Sequence, residues 1–169
     1  LGPLDKPGSD VPVQVPLIAA QGSDAEILGM DADGTVACAV VASSSEADAG
    51  AIWCWGVDLH DTGEKLNQLG APTPGGDLCT AHPIQATHWA TTGDPLDGFT
   101  DVAVGAWHGC GLHQDGTVWC WGGEDGGEDF SLHMGSGESG AGKAPFQVLT
   151  SAGGAPLDTV RSISAGDNF

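Results

Sequence analysis

Two stretches of this chain, Gly50–Gly56 and Gly116–Gly122, read GAIWCWG and GTVWCWG. Each sets tryptophan and cysteine in strict alternation, the period of a β-strand. Upstream of each lies a second cysteine among small residues, ACAV at Ala37–Val40 and GCGL at Gly109–Leu112. Further upstream FTDVAVG (Phe99–Gly105) matches VRSISAG (Val160–Gly166) and, more weakly, ILGMDAD (Ile27–Asp33). Downstream, NQLG (Asn67–Gly70) corresponds to HMG (His133–Gly135), and the opening Leu1-Gly2 fits the same slot. That slot is followed by PVQV, PIQA and PFQV, which begin at Pro12, Pro83 and Pro145. The order never changes, which predicts a repeating unit of four short strands.

A four-stranded unit of this size cannot bury both of its faces alone. It must stack on copies of itself, and radial stacking of small sheets is the propeller solution. The expected fold is therefore all-β, part of a β-propeller with four-stranded antiparallel blades. Its 28 glycines and 10 prolines suit many turns and little helix. On this reading residues 1–169 form a fragment of one propeller domain: 1–15 end a preceding repeat, 16–86 and 87–148 are full repeats, and 149–169 start another. The chain begins without methionine and both ends fall inside repeats, so a piece of a longer protein is expected.

The second unit's turn fixes its register. In HQDGT (His113–Thr117), Gln114 and Asp115 suit a type I turn, and Gly116 suits the left-handed position that completes a three-residue hairpin loop. With His113 opposite Thr117, Leu112 faces Val118 and Cys110 faces Cys120. Alternation makes the cysteines a non-hydrogen-bonded pair, the closer kind, within reach of a disulfide. Trp119 and Trp121 then point to the other face, where Gly109 and Gly111 leave room, and Gly122 ends the strand. In the first unit Cys38 and Cys54 take the corresponding positions, with Trp53 and Trp55 on the other face; the additional residues lie in the polar hairpin tip Val41–Gly50. Retention of the pair despite different tips favours disulfides Cys38–Cys54 and Cys110–Cys120. Free buried thiols are the alternative, with metal or redox chemistry behind them, because neither a four-ligand zinc pattern nor a helix-borne C-x-x-C is present. Disulfides imply an extracellular, periplasmic or cell-surface location. Cys79, placed in a loop, has no counterpart in the second unit.

The 23 acidic and 4 basic residues argue against nucleic acid, whose phosphates would be repelled, and make a cationic partner the easier fit. No run of about 18 apolar residues suggests membrane insertion. GESGAGKA (Gly137–Ala144) has phosphate-loop spacing, but Ala144 lacks the magnesium-binding hydroxyl and Pro145 opens a strand instead of a helix. DADGT (Asp31–Thr35) resembles a calcium loop without the closing glutamate. Cys79, His82 and His88 span a proline and a strand, which is poor metal geometry, and His108 and His113 beside Cys110 have no evident orienting group. The acidic loops Val57–Lys65 and Gly122–Phe130 read first as solvated segments and second as calcium ligands. No catalytic residue, cofactor or metal site is expected.

The pattern V-x-x-I-x-A-G, C-x-L-x-x-D-G-x-V-W-C-W-G, N-Q-L-G and P-x-Q-V resembles the regulator of chromosome condensation repeat, and most of all its extracellular bacterial members with paired cysteines. The first unit departs from it, with GMDAD where A-G is expected. The resemblance implies seven blades forming a rigid ring whose loops bind other proteins; the family includes exchange factors for a small GTPase, plant light receptors and β-lactamase inhibitory proteins. The expected function is a noncatalytic interaction module of a secreted or surface protein, contacting an unidentified protein partner through Val41–Gly50, Val57–Lys65, Gly122–Phe130 and Met134–Lys143. A purely structural display segment and an inhibitor of a secreted enzyme are the alternatives, and an enzyme ranks last.

Overall fold

The structure, a computed structural model, describes residues 25–42, 48–58, 67–72, 79–88, 93–125, 128–129, 134–137 and 144–166. Among them there is no helix. Strands β1 (Glu26–Asp33), β2 (Val36–Ala42), β3 (Ala51–Val57) and β4 (Cys79–Gln85) form one antiparallel sheet in sequence order. Strands β5 (Phe99–Val104), β6 (His108–His113) and β7 (Val118–Gly122) begin a second. A separate two-stranded ribbon, β8 (Glu124–Asp125) with β9 (Glu128–Asp129), follows β7 in the chain, and the second sheet's outer strand, β10 (Phe146–Gln147), then pairs directly with β7. These are two blades of a propeller, and PVQV lies outside the described residues.

The blades repeat in register and in irregularity. Cys38 faces Cys54 and Cys110 faces Cys120. The innermost strand bulges between Ile27 and Gly29 in one blade and at the matching place, between Phe99 and Asp101, in the other. On the outer strand Ile84 and Phe146 face the second cysteine of each pair, and Gln85 and Gln147 face Trp53 and Trp119.

Alternation gives each sheet a cysteine face and a tryptophan face, and the two differ in what they meet. The cysteine face of the first blade (Val36, Cys38, Val40, Ile52, Cys54) packs against the tryptophan face of the second (Phe99, Val102, Val104, Trp121) in one buried cluster. The cysteine face of the second blade (Leu112, Val118, Cys120) gathers Val160 and Ile163 from the segment that follows. Val160–Gly166, expected as a strand, carries no ladder in the structure; its tie to the blade is the Val160 N–H donating to the Gly116 carbonyl at 3.1 Å.

Cys79 corrects the sequence reading. It begins a strand, opposite Val57, because a register shift between Cys54 and Gly56 lets β4 continue past the PIQA core. Pro83 is tolerated there because β4 is an edge strand with one side free of the ladder.

The connection from blade to blade also repeats, and its turn chemistry was not foreseen. Pro95-Leu96-Asp97-Gly98-Phe99 and Pro156-Leu157-Asp158-Thr159-Val160 make the same bonds: Leu96 N–H to the Ala86 carbonyl and Leu157 N–H to that of Val148, at 2.8 and 2.7 Å. Gly98 takes φ 80° and Thr159, at the matching position, φ 61°. A β-branched residue is strained there, by about 1–2 kcal/mol, whereas asparagine tolerates the left-handed region. Thr159→Asn should therefore raise stability by about 1 kcal/mol, read as a higher thermal midpoint; an unchanged or lower midpoint would show the backbone unstrained.

Candidate interaction surface

The β6–β7 hairpin adopts the three-residue loop expected of it. His113 N–H donates to the Thr117 carbonyl and Gly116 N–H to that of His113, both at 2.9 Å, with Gly116 at φ 85°. The Asp115 carboxylate accepts from the Thr117 hydroxyl at 2.7 Å and the Thr117 N–H at 2.9 Å, and His113 Nδ1 lies 2.8 Å away. These bonds, the Thr117 hydroxyl first, hold the Asp115 carboxyl at about 2. Because the folded value lies below the ordinary one near 3.9, the stabilisation is present above that value and fades as pH falls through about 2. Asp115→Asn should flatten the acid limb of a Tm-against-pH profile below about pH 4; an unaltered limb would remove the turn from the account of acid unfolding.

Behind the turn the cysteines are bonded, Cys38 to Cys54 and Cys110 to Cys120, each pair with Cα atoms 4.1 Å apart. Cys38 and Cys54 are fully enclosed, so the first bond lies within the blade-to-blade core. Replacing both partners of a pair with alanine should cost about 3 kcal/mol for Cys38–Cys54 and slightly less for the shorter Cys110–Cys120 loop. Intact mass without reductant should fall short of the reduced value by about 2 Da per bond; labelling of these four thiols in native protein would contradict the pairing.

The tryptophans divide by position. Trp121 is fully buried on Gly109, where a Cβ would come within 2.7 Å of the ring. At Gly111 the vacated space holds Phe99 and Ile52 instead of the expected Trp119, which meets His88 edge to face with centroids 5.0 Å apart. Phe99 comes from the adjacent strand β5 and Ile52 from the other blade, contacts invisible to a single hairpin. Gly122 ends β7 at φ 88° against the Trp107 carbonyl. Trp53 and Trp55 line the far face of the first blade with Ala39 and Val41.

Gln68 of the NQLG slot locks the blades together. Its backbone carbonyl accepts from Trp121 Nε1 at 2.8 Å, its side-chain amide donates to the Gly105 carbonyl at 3.0 Å, and its N–H donates to the Asp58 carboxylate at 2.7 Å. The slot was legible as a repeat, but its buried polar role was not, since glutamine in a loop usually reads as surface. Trp53 Nε1, by contrast, is buried without a hydrogen-bond partner. Trp121→Phe leaves the Gln68 carbonyl without its donor and should cost more than Trp53→Phe by about 1–3 kcal/mol, read from paired denaturant titrations.

The remaining sequence candidates fall as follows. Asp31 of DADGT spends its carboxylate on backbone, accepting from Ala32 N–H at 2.9 Å and from Val104 N–H of the next blade at 2.8 Å. His108 is buried, and burial pulls its imidazole below the ordinary range against the opposing pull of Asp33. His88 is lowered likewise, with Asp94 opposing. His113 sits at the turn, with its ring edge-on to Phe99. Residues 138–143 of the phosphate-loop look-alike lie outside the described residues, as do 43–47, 59–65, 126–127 and 130 of the predicted contact loops.

The structure separates those loops. Val41–Gly50 precedes β3 and Val57–Lys65 follows it, so the two leave opposite ends of a seven-residue strand, about 20 Å apart. The Gln114–Gly116 turn shares the first end, and Gly122–Phe130 shares the second. Of the four segments expected to make one contact surface, Val41–Gly50 thus starts from one end of the strands and Val57–Lys65 and Gly122–Phe130 from the other. At the second end Glu124 pairs with Asp129 and Asp125 with Glu128 along the β8–β9 backbone.

Comparison with known proteins follows this geometry. Residues 99–128 match the family model for the Regulator of chromosome condensation (RCC1) repeat. Among curated proteins no sequence matches. Among solved structures, Prp20p from Saccharomyces cerevisiae, described with its binding to Gsp1p and histones, is similar at TM-score 0.52 and 17% identity, over 85% of this chain and 27% of that one. Yeast RCC1 (Prp20) bound to Kap60 follows at TM-score 0.45 and 16% identity, covering 82% and 28%. Human WBSCR16 stands at TM-score 0.46 and 17%, covering 76% and 25%. This chain thus spans about a quarter of each of those proteins. Residues 99–128 are thus similar to an RCC1 repeat, and the two blades share the β-propeller fold of Prp20p as a partial segment of it.

Proposed function

We propose that the chain is a noncatalytic protein-interaction segment of an RCC1-type propeller, operating outside the cytoplasm or at a cell surface and binding its partner through the loops that follow β3 and β7. The observation that carries this reading is the β8–β9 ribbon, whose two facing pairs, Glu124 with Asp129 and Asp125 with Glu128, are all acidic and follow a stapled hairpin in the chain. Like charges placed opposite each other weaken a ladder, so a basic partner surface that neutralises them gains both contact energy and steering. The two disulfides support the oxidising compartment. Prp20p, which shares the fold, is described as binding other proteins, Gsp1p and histones.

The test replaces the ribbon carboxylates together (Glu124→Gln, Asp125→Asn, Glu128→Gln, Asp129→Asn) and measures binding to partners captured by the unaltered protein from its own extracellular medium. Affinity should fall at least about tenfold and its salt dependence should weaken, while Tm stays level or rises. Equal capture after the substitution, in protein that still melts cooperatively, would overturn the reading and leave the display role in its place.

A further inference from the structure

Two independent features of aspartate coincide at one peptide bond in the corner that joins the blades. The first is contact with the following amide. Among the described residues Asp31, Asp97 and Asp101 each accept a hydrogen bond at 2.9 Å from the next N–H, that of Ala32, Gly98 and Val102 in turn. The carboxyl carbon therefore lies no more than about 4.1 Å from that nitrogen, near the separation from which bonds form. The second feature is glycine as the next residue, which puts no side chain in the way of the nitrogen. Asp33, Asp97, Asp115 and Asp125 are followed by glycine, and Gly126 lies outside the described residues. Among the described residues Asp97–Gly98 alone has both. Asp33 is held in the β1–β2 ladder opposite Val36, and the Asp115 carboxylate is turned to Thr117, with its carboxyl at about 2. Asp97, by contrast, is exposed. Gly98 is required there, since it takes φ 80° and a Cβ would come within 2.5 Å of His113 Nε2.

The geometry points to Asp97–Gly98 as a site of spontaneous covalent modification, the isomerisation of aspartate to isoaspartate. The Gly98 nitrogen bonds to the Asp97 side-chain carbonyl carbon, and the carboxyl hydroxyl leaves with the amide proton as water, closing a succinimide ring. Water then opens the ring at its main-chain carbonyl, so the chain runs on through the former side chain and the α-carboxylate hangs outside it. One water is released and one is taken up, and no oxidant or cofactor enters. The product carries one more carbon in its main chain, about 1.5 Å of added path. That path must be absorbed in a corner fixed on both sides: Leu96 N–H donates to the Ala86 carbonyl and Phe99 N–H to that of Gly50, at 2.8 and 2.9 Å. Isomerisation therefore loosens the joint between the blades. It is independent of the loop-binding role, because the corner lies between blades.

The test ages the full chain in heavy-oxygen water at physiological temperature and maps its peptides by mass, because ring opening installs one heavy oxygen at the reacting residue. In the folded protein, uptake at Asp97 should exceed that at Asp33 and Asp115 at least about tenfold, and in denaturant the three should react at comparable rates. Asp97→Glu, which would need a larger ring, should take up no label at that position and, when fresh, should melt as the wild type does. After ageing, the wild type should melt at a lower temperature than it does fresh, and Asp97→Glu should show no such fall. Folded protein that takes up label equally at the three sites, or least at Asp97, overturns the proposal. So does an Asp97→Glu chain labelled at position 97 as fast as the wild type, and an unshifted midpoint in isomerised protein overturns the loosening of the joint.

Discussion

Everything in this fold depends on burial that no blade achieves alone. A four-stranded sheet has two faces, and the chain gives them opposite chemistry: compact cysteine pairs and aliphatic residues on one, indole rings opposite glycine or alanine on the other. Trp121 shows how tightly the two are matched. Its ring occupies the space above Gly109, and its N–H reaches across to the Gln68 carbonyl of the preceding blade, so apolar burial and polar satisfaction are met by one side chain. Gln68 then passes the constraint on to Gly105 and Asp58.

The disulfides act at right angles to this. They join neighbouring strands within a blade, where ladder bonds already exist, and so hold the register that keeps every tryptophan on one face. A slip of one residue would turn both indoles toward the wrong neighbour. The longer tip between β2 and β3 leaves the Cys38–Cys54 pairing intact, with Val41 facing Ala51 at its base. Tips and post-strand loops can therefore vary while the stapled hairpin stays constant, a division of labour suited to a binding scaffold.

Much of this was legible before any coordinates. The HQDGT turn allowed facing residues to be counted outward from Gly116, and the pairing of Cys110 with Cys120 follows from local turn chemistry alone. What counting could not supply was anything that depends on a neighbour. Ile52 in the space beside Gly111, the extension of β4 through Cys79, and Thr159 held against Gly116 all arise from contacts between segments well separated in sequence. The PLDG and PLDT turns did carry a signal, a second small repeat, but one too short to weigh without knowing that it closes onto a blade.

By itself, the sequence determined the strand order, the register of the cysteine hairpins and the assignment of cysteine and tryptophan to opposite faces. These follow from periodicity two and from a turn with one permitted geometry. Only the tertiary structure decided which face meets which neighbour, that Gln68 is a buried clamp, and that the loops on either side of β3 emerge on separate surfaces. Such facts concern the packing of whole sheets, and alternation along a strand says which residues share a face without saying what lies against it.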